Sequence, residues 1–207
     1  MIPASTLNDP TRLGWIVYEA MEEIFGQNGV KAILDIAHLP YIEQIPANHR
    51  ELKFPFTNLS QLQVTLEKTY GPQAGRGFAM RVGQACFKYL LREYGVELGL
   101  TQQSFRLLPG SVRMVQVNET LAGFFSQFTD QPIRFEMDGK KLRWHVEQCP
   151  QCSGQPVGGP GCALIVGFLQ DTLYWVSGGK YYQVEEQKCI ACGDGECTIV
   201  MEPIQMS

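Results

Sequence analysis

Cysteines are the residues whose spacing in this sequence most clearly indicates chemistry. Six of the seven fall in the last third of the chain, at Cys149, Cys152, Cys162, Cys189, Cys192 and Cys197. Two thiolates on one turn can chelate a single Zn²⁺ ion, which prefers tetrahedral coordination by sulfur and nitrogen. In a reducing compartment, such close pairs bind metal more often than they form disulfides. The pattern therefore predicts a zinc site, whereas the isolated Cys86 is predicted to be a small buried hydrophobic residue.

Spacing alone leaves open which residues bind the ion. The two C-x-x-C pairs, at 149–152 and 189–192, could form a ribbon-like site, although the segment between them is long for that motif. A competing set joins a carboxylate to three thiolates, namely Cys162, Glu186, Cys189 and Cys197. Three thiolates and one carboxylate would fill the coordination sphere, and a closed site of this kind is structural rather than hydrolytic.

Composition limits the classes of protein to which the chain can belong. The 207 residues carry 17 basic and 21 acidic side chains, with a net charge of −4, so the basic surface of a nucleic-acid binder is not expected. The first residues lack the basic-then-apolar order of a signal peptide, and no apolar run is long enough to span a membrane. We therefore expect a cytoplasmic protein whose core is large enough to fold without relying on metal.

Helical patterns dominate the first two thirds of the chain. Asp9-Pro10 predicts the start of a helix. An apolar stripe then runs to Gly26, where glycines predict the end of the helix. Residues 30–58 are broken by prolines and predict short or irregular pieces. Ser60 could cap a helix that ends at Gly71-Pro72, and further helices are predicted over 75–94 and from Pro109 onward.

Strand patterns follow the helices. Ile133, Phe135 and Met137 alternate with polar residues, and the alternation resumes at Leu142 after the turn at 138–139, which predicts a hairpin. A turn-rich segment leads to an apolar helix over 162–176, and strands are predicted over 181–189 and 198–201. Because helices precede strands rather than alternating with them, the predicted class is α+β. We expect a single domain, 1–207, with an N-terminal extension, 1–58, and a ligand- and zinc-binding core, 59–201.

The last third of the chain contains three short motifs: a cysteine before an apolar helix (Cys162-Ala-Leu-Ile-Val-Gly-Phe-Leu), the run Val184-Glu185-Glu186-Gln187-Lys188-Cys189, and the run Gly193-Asp194-Gly195-Glu196-Cys197-Thr198-Ile199. These motifs resemble those of the 4-vinyl reductase domain family, which includes phenol-sensing domains of bacterial transcription activators. Together they cover about residues 145–201. The resemblance implies zinc held by Cys162, Glu186, Cys189 and Cys197. Cys149 and Cys152 resemble a turn in the chlorophyll-biosynthesis branch, and they are alternates, as is Cys192.

The same resemblance implies a fold shared with NO-signalling proteins and Golgi transport-particle subunits, in which helices pack on a twisted antiparallel sheet around a cavity. The aromatic residues expected to line that cavity are Phe124, Phe125, Phe128, Trp144, Phe168, Trp175 and Tyr181. Trp144 matches a tryptophan that holds the ligand hydroxyl in the phenol sensors. The histidine that assists it there has no counterpart, because this sequence has Val115, Gln116 and Val117 at that place.

These features predict a small-molecule-binding protein with a structural zinc site that acts as a carrier, sensor or assembly factor. The ligand would be an apolar aromatic or tetrapyrrole-like molecule. No catalytic residues are assigned, because nothing resembles a site for a hydride or electron donor. One alternative is a pigment-biosynthesis enzyme of the vinyl reductase type, and another is an interaction subunit without a ligand. Proteins of the resembled fold pair through N-terminal helices, so a homodimer is expected, with Trp15 and Ile16 as contacts.

Overall fold

The computed structural model describes residues 10–41, 58–129, 131–152 and 159–204. In the described ranges, helices come first and the sheet strands lie in the second half of the chain. The elements are α1 (Pro10–Ile36), α2 (Asn58–Tyr70), α3 (Pro72–Tyr94), the short α4 (Gln103–Arg106), α5 (Gly110–Phe128), β1 (Ile133–Asp138), β2 (Lys141–Val146), α6 (Ala163–Val176), β3 (Tyr182–Lys188) and β4 (Cys197–Pro203). The predicted α+β class is confirmed.

The four strands form one antiparallel sheet in the order β1-β2-β4-β3. β1 and β2 are the predicted hairpin, and Phe135 lies opposite Trp144 across it. β4 lies at the centre of the sheet beside β2, where Ile199 faces Trp144, and its first five residues are all buried. Since β4 begins at Cys197, the most buried strand of the sheet carries a predicted metal ligand.

The first helix extends further than the sequence predicted. Gly26 has φ +67° and ψ 165°, which breaks the helical geometry without ending the element, and the chain continues helical to Ile36. The second half persists because Val30, Ile33 and Leu34 are buried in the common core. The predicted stop at Gly26 is therefore a kink. Residues 42–57, which make up most of the predicted irregular segment, lie outside the described residues.

Helix α1 belongs to the same hydrophobic core as the other elements. The stripe that contains Ile16 is buried, so this part of the proposed dimer contact is used within the chain, and Trp15 is half-buried and stacks on Tyr18. α2 includes Ser60 in its first turn rather than starting after it. No helix within the described residues is long and apolar enough to cross a membrane.

Helices α3 and α6 pack against each other at two glycines. A Cβ atom on Gly83 would lie 1.9 Å from the carbonyl oxygen of Leu164, and one on Gly167 would lie 1.9 Å from that of Met80. Only glycine permits this backbone contact, because any side chain would overlap the opposite helix. The contact fixes the position of α6, and hence of Cys162, which directly precedes that helix.

Candidate metal centre

Five potential metal donors from four separate parts of the chain meet at one end of the sheet. One ligand atom from each lies within 4.8 Å of all the others, and the residues are Cys152, Cys162, Glu186, Cys189 and Cys197. We call these five residues the donor cluster. The four cysteines are buried and Glu186 is half-buried. The structure thus brings together the carboxylate and three thiols of the predicted set, and it adds Cys152 from the alternates.

Cys152 has nearly equal distances to the other three thiols of the cluster. Its sulfur lies 3.4 Å from that of Cys162, 3.5 Å from that of Cys189 and 3.5 Å from that of Cys197. Four thiolates at a Zn–S distance of about 2.3 Å would form a tetrahedron with edges of about 3.8 Å. The three separations that involve Cys152 lie within a few tenths of an ångström of that edge, and the other three are no longer than 4.8 Å, so the four thiols could hold a metal ion.

A bulge in β3 explains how Glu186 and Cys189 reach the same cluster. Glu186 pairs with Ile199 and Lys188 pairs with Thr198, so β3 has one extra residue at this point. Side chains alternate between the two faces of a strand, and an extra residue shifts that alternation. Cys189 consequently lies on the face of Glu186, which regular pairing would have prevented.

The turn after Cys189 holds the next part of the cluster. Cys189 donates its backbone N–H to Asp194 Oδ2 at 2.8 Å, and the backbone N–H of Asp194 donates to the Cys189 carbonyl at 3.2 Å. Gly193, at φ +100°, supplies the left-handed conformation that closes this turn. The turn returns the chain to the sheet at Cys197, so the G-D motif of the sequence positions two members of the donor cluster.

Backbone N–H groups point at two of the sulfurs. Gly161 donates to Cys189 Sγ and Ile190 donates to Cys197 Sγ, each at 3.3 Å. Cys162 donates its backbone N–H to Glu186 Oε2 at 2.9 Å, while Oε1 of that carboxylate is buried without a hydrogen-bond partner among the described residues. N–H donors of this kind stabilise negative charge on sulfur and oxygen, as a metal centre requires.

The pKa values divide the thiols into two groups. The hydrogen bond with Cys162 lowers the pKa of Cys189 to about 5. Hydrogen bonds with neighbouring thiols also lower the pKa of Cys197, and the bond with Cys149 has the largest effect. The hydrogen bond with Cys149 is the largest cause that raises the pKa of Cys152 and of Cys162. The lowered pKa values favour the thiolate form of Cys189 and Cys197, which is the form in which cysteine binds a metal ion.

The two remaining alternates differ in position. Cys149 is buried, and its sulfur lies 3.3 Å from that of Cys162, but it does not belong to the donor cluster. Cys149 and Cys152 end a tight turn, in which the backbone N–H of Cys152 donates to the Cys149 carbonyl at 3.1 Å. We call residues 149–152 the knuckle. Cys192 is exposed, so the ribbon-like set does not assemble among the described residues.

A small cavity lies beside the knuckle. It has a volume of about 50 Å³ and is lined by Leu13, Ile16, Val17, Leu59, Cys86, Leu90, Phe125, Gln131, Ile133, Gln151, Leu164, Ile165 and Phe168. We call it the main cavity because core residues line it; a larger and more open pocket of about 510 Å³ lies beside Tyr174 and Tyr181. Cys86 is buried in the wall of the main cavity, and burial raises the pKa of that thiol. Gln131 and Gln151 carried no signal in the sequence beyond the position of Gln151 between two cysteines.

Two of the seven predicted pocket aromatics, Phe125 and Phe168, line the main cavity. Phe124 and Phe128 contact each other, and Phe124 also packs on Tyr94 in the core. Trp175 stacks on Phe105, and Tyr181 is 70% exposed on the surface. The aromatic residues therefore do not converge on one hollow in the described part of the chain.

Trp144 has another contact that the sequence analysis missed. It is fully buried, and its indole N–H donates to Asn118 Oδ1 at 3.0 Å, while Asn118 Nδ2 donates to the Met114 carbonyl at 2.8 Å. A tryptophan has a single N–H donor. Since Asn118 accepts it, Trp144 is not placed to hold a ligand hydroxyl as the resembled phenol sensors do.

Comparison with solved structures shows the fold. An H-NOX protein from S. oneidensis in its Fe(II)NO ligation state matches with a TM-score of 0.61 and 10% identity, over 92% of this chain and 98% of that one. The phenol-responsive sensory domain of the transcription activator PoxR with phenol matches with a TM-score of 0.55 and 18% identity, over 84% of this chain and 89% of that one. Subunit 3 of a trafficking protein particle complex from Naegleria fowleri, covalently bound to palmitic acid, matches with a TM-score of 0.52 and 16% identity, over 72% of this chain and 96% of that one.

At these identities the likeness concerns the fold alone, which is that of the H-NOX proteins, the PoxR sensory domain and the trafficking subunit. The sequence matches no protein-family model and no curated protein. The resemblance to the 4-vinyl reductase family therefore rests only on the motifs that carry it.

Proposed function

We propose that this protein binds a small apolar molecule in the main cavity, beside a structural zinc ion, and acts as a sensor, carrier or assembly factor. The observation that carries the proposal is the donor cluster, in which the Cys152 sulfur lies 3.4–3.5 Å from the sulfurs of three other buried cysteines. The knuckle connects the two sites, because Cys152 belongs to the cluster and Gln151 lines the cavity. The PoxR domain and the H-NOX protein, whose structures contain phenol and an Fe(II)NO centre, are consistent with a small-molecule role.

The proposed zinc ligands are Cys152, Cys162, Cys189 and Cys197, which revises the set that the resemblance implied. Bound there, zinc would join the knuckle, the start of α6 and both ends of the turn between β3 and β4. Four thiolates close the coordination sphere, so the ion would stabilise one wall of the cavity rather than activate water. Glu186 lies against this site through its hydrogen bond with the backbone of Cys162.

An iron centre held by an imidazole does not fit the main cavity. Among the described residues, neither His38 nor His145 lines it. His38 lies in the turn after α1, and His145 lies on β2 with its Nδ1 2.7 Å from Glu196 Oε1. The residues present therefore offer no imidazole to iron at that place, and we propose an organic ligand.

Elemental analysis of the purified protein, combined with mass spectrometry of extracted small molecules, tests the proposal. We expect about one zinc per chain, and Cys189→Ser or Cys197→Ser should lose it because each removes one of four thiolates. Cys192→Ser is the matched control, since Cys192 is exposed and should leave the zinc content unchanged. Full zinc content in both cluster variants would contradict the metal site. A purified protein that retains no small molecule and binds none would contradict the ligand role.

A further inference from the structure

We infer that the open pocket beside Tyr174 and Tyr181 binds a small organic cation of the alkylammonium class. The pocket has a volume of about 510 Å³ and shares no lining residue with the main cavity, so the inference goes beyond the proposed function and does not depend on it. We call it the tyrosine pocket. Side chains from α3, from α6, from the start of β3 and from the end of β4 form it, and they are those of Gln84, Gln170, Asp171, Tyr174, Tyr181, Tyr182 and Ile204.

The turn after α6 holds two of the tyrosines together. The backbone N–H of Gly179 donates to the Tyr174 carbonyl at 2.8 Å, and that of Lys180 donates to the Ser177 hydroxyl at 3.0 Å. Gly179 has φ +96°, a conformation that favours glycine. The turn brings Tyr181 back against Tyr174, and the centroids of the two rings lie 5.1 Å apart with 41° between their planes. The backbone thus fixes this aromatic wall before any ligand binds.

The rings of this wall are accessible to a ligand. Tyr181 is 70% exposed and Tyr174 is 41% exposed. The face of an aromatic ring carries partial negative charge, so it attracts a cation that lies over it. An alkylated ammonium ion suits such a wall because its methyl groups contact the rings directly. A quaternary ammonium ion also has no N–H group, so it needs no hydrogen-bond acceptor from the pocket.

Asp171 supplies a negative charge in the same pocket. Among the described residues of the lining it is the single carboxylate, and none is basic. Burial raises the pKa of Asp171, and the positive charge of Lys88 opposes that rise. Lys88 is itself paired with Glu23, with 2.8 Å between Nζ and Oε2. The raised pKa means that the carboxylate is less stable here than in water, and a bound cation would provide the counter-charge that stabilises it.

The two glutamines of the lining contribute no charge. Gln84 Nε2 donates to Gln170 Oε1 at 3.2 Å, and this bond joins α3 to α6 at the pocket. A neutral ligand would gain contact with the rings but no attraction from Asp171, and an anion would be repelled by the carboxylate and by the ring faces. The lining therefore favours a cation over a neutral molecule of the same shape.

Titration of the full-length protein with choline and with 3,3-dimethylbutanol tests this inference. The two probes have the same shape, because a carbon atom in the alcohol replaces the charged nitrogen of choline. We expect choline to bind roughly tenfold more tightly, which is the effect of aromatic rings and a half-buried carboxylate on a cation. In an NMR spectrum, choline should shift the backbone amide signals of Tyr181 and Tyr182, and leave that of Leu90 in the main cavity unchanged. Equal binding of the two probes, or no binding of choline, would overturn the inference.

Two substitutions in the pocket identify the groups that attract the cation. Asp171→Asn removes the charge, keeps the shape and relieves the burial of a carboxylate, so the variant should fold. Tyr181→Leu removes a ring that is mostly exposed, so it should fold as well. In each variant we expect the preference for choline over the alcohol to fall severalfold. An unchanged preference in either one would refute the site.

Two further variants are the matched controls. Tyr181→Phe keeps the face of the ring and loses only the hydroxyl group, so it should retain the preference that Tyr181→Leu loses. Glu119→Gln, at an exposed position of α5, changes the net charge as Asp171→Asn does and should bind choline like the unmodified protein. A loss of preference in Glu119→Gln as large as that in Asp171→Asn would show that net charge, and not the pocket, attracts the cation.

Discussion

Asn118 on helix α5 accepts the indole N–H of Trp144 on strand β2, over 3.0 Å, in the fully buried layer between helix and sheet. The same asparagine donates to the Met114 carbonyl one turn earlier in its own helix. The amide thus has a partner on each side, and the pair fixes where α5 lies on the hairpin. A satisfied buried contact of this kind indicates a structural role for Trp144.

We expect Asn118→Ala to lower the free energy of unfolding by about 1–3 kcal/mol, because the indole N–H would be buried without an acceptor. Urea denaturation measures the difference. The neighbouring Glu119 is exposed on the same helix, so Glu119→Ala is the control and should change stability by less than about 0.5 kcal/mol. Equal stability of the two variants would show that the hydrogen bond contributes nothing to the fold.

The crossing of α3 and α6 gives a second prediction. Alanine at Gly83 or Gly167 would place a methyl group against the backbone of the opposite helix, so the helices must separate. We expect each substitution to destabilise the protein by about 2–4 kcal/mol. In contrast, a Cβ on the exposed Gly123 of α5 has no neighbour within 4 Å.

Gly123→Ala is therefore the matched control for those two variants. It should raise stability by about 0.4–1 kcal/mol, since alanine restricts the unfolded chain and has the higher helix propensity. Denaturation midpoints in urea compare the three variants. If Gly83→Ala had the same denaturation midpoint as Gly123→Ala, the inference that the two helices approach closely at Gly83 would be wrong.

The sequence predicted local features well because local chemistry determines them. The alternation around Asp138-Gly139 predicted the hairpin, and the apolar run after Cys162 predicted α6. The end of α1 was misplaced because the burial of Val30 and Ile33 depends on distant elements, and this burial outweighs the glycine at 26. A helix signal of this kind cannot be read from a local window.

The candidate site divides in the same way. Each member of the donor cluster was named from its motif, but spacing could not choose between Cys149 and Cys152, because the approach of the knuckle to α6 depends on the packing of the whole domain. Gln131 has an ordinary sequence context, and its role in the cavity wall depends on the chain segments that surround it. Contacts between elements distant in sequence are thus what the sequence alone could not supply.

Removal of the proposed zinc ion should loosen one end of the domain. We expect a strong zinc chelator to lower the melting temperature by several degrees, because binding to the folded chain stabilises it and the ion joins four separate segments. Amide hydrogen exchange should become faster around Cys162 and across the turn from Cys189 to Cys197, and stay unchanged in the second half of α1. Exchange that becomes faster throughout the protein, or that does not change anywhere, would contradict a local structural role for the ion.

The choice of ligands can be decided with two variants, Cys152→Ser and Glu186→Gln. Burial raises the pKa of Glu186 to about 8, and glutamine keeps the shape of this side chain while removing its ability to bind a metal as a carboxylate. If the four thiolates bind the ion, Glu186→Gln should retain zinc and Cys152→Ser should bind it far more weakly. X-ray absorption of the wild-type protein should then show four sulfur ligands at about 2.3 Å. Loss of zinc in Glu186→Gln, together with an oxygen ligand at about 2.0–2.2 Å, would instead establish the carboxylate as the fourth ligand.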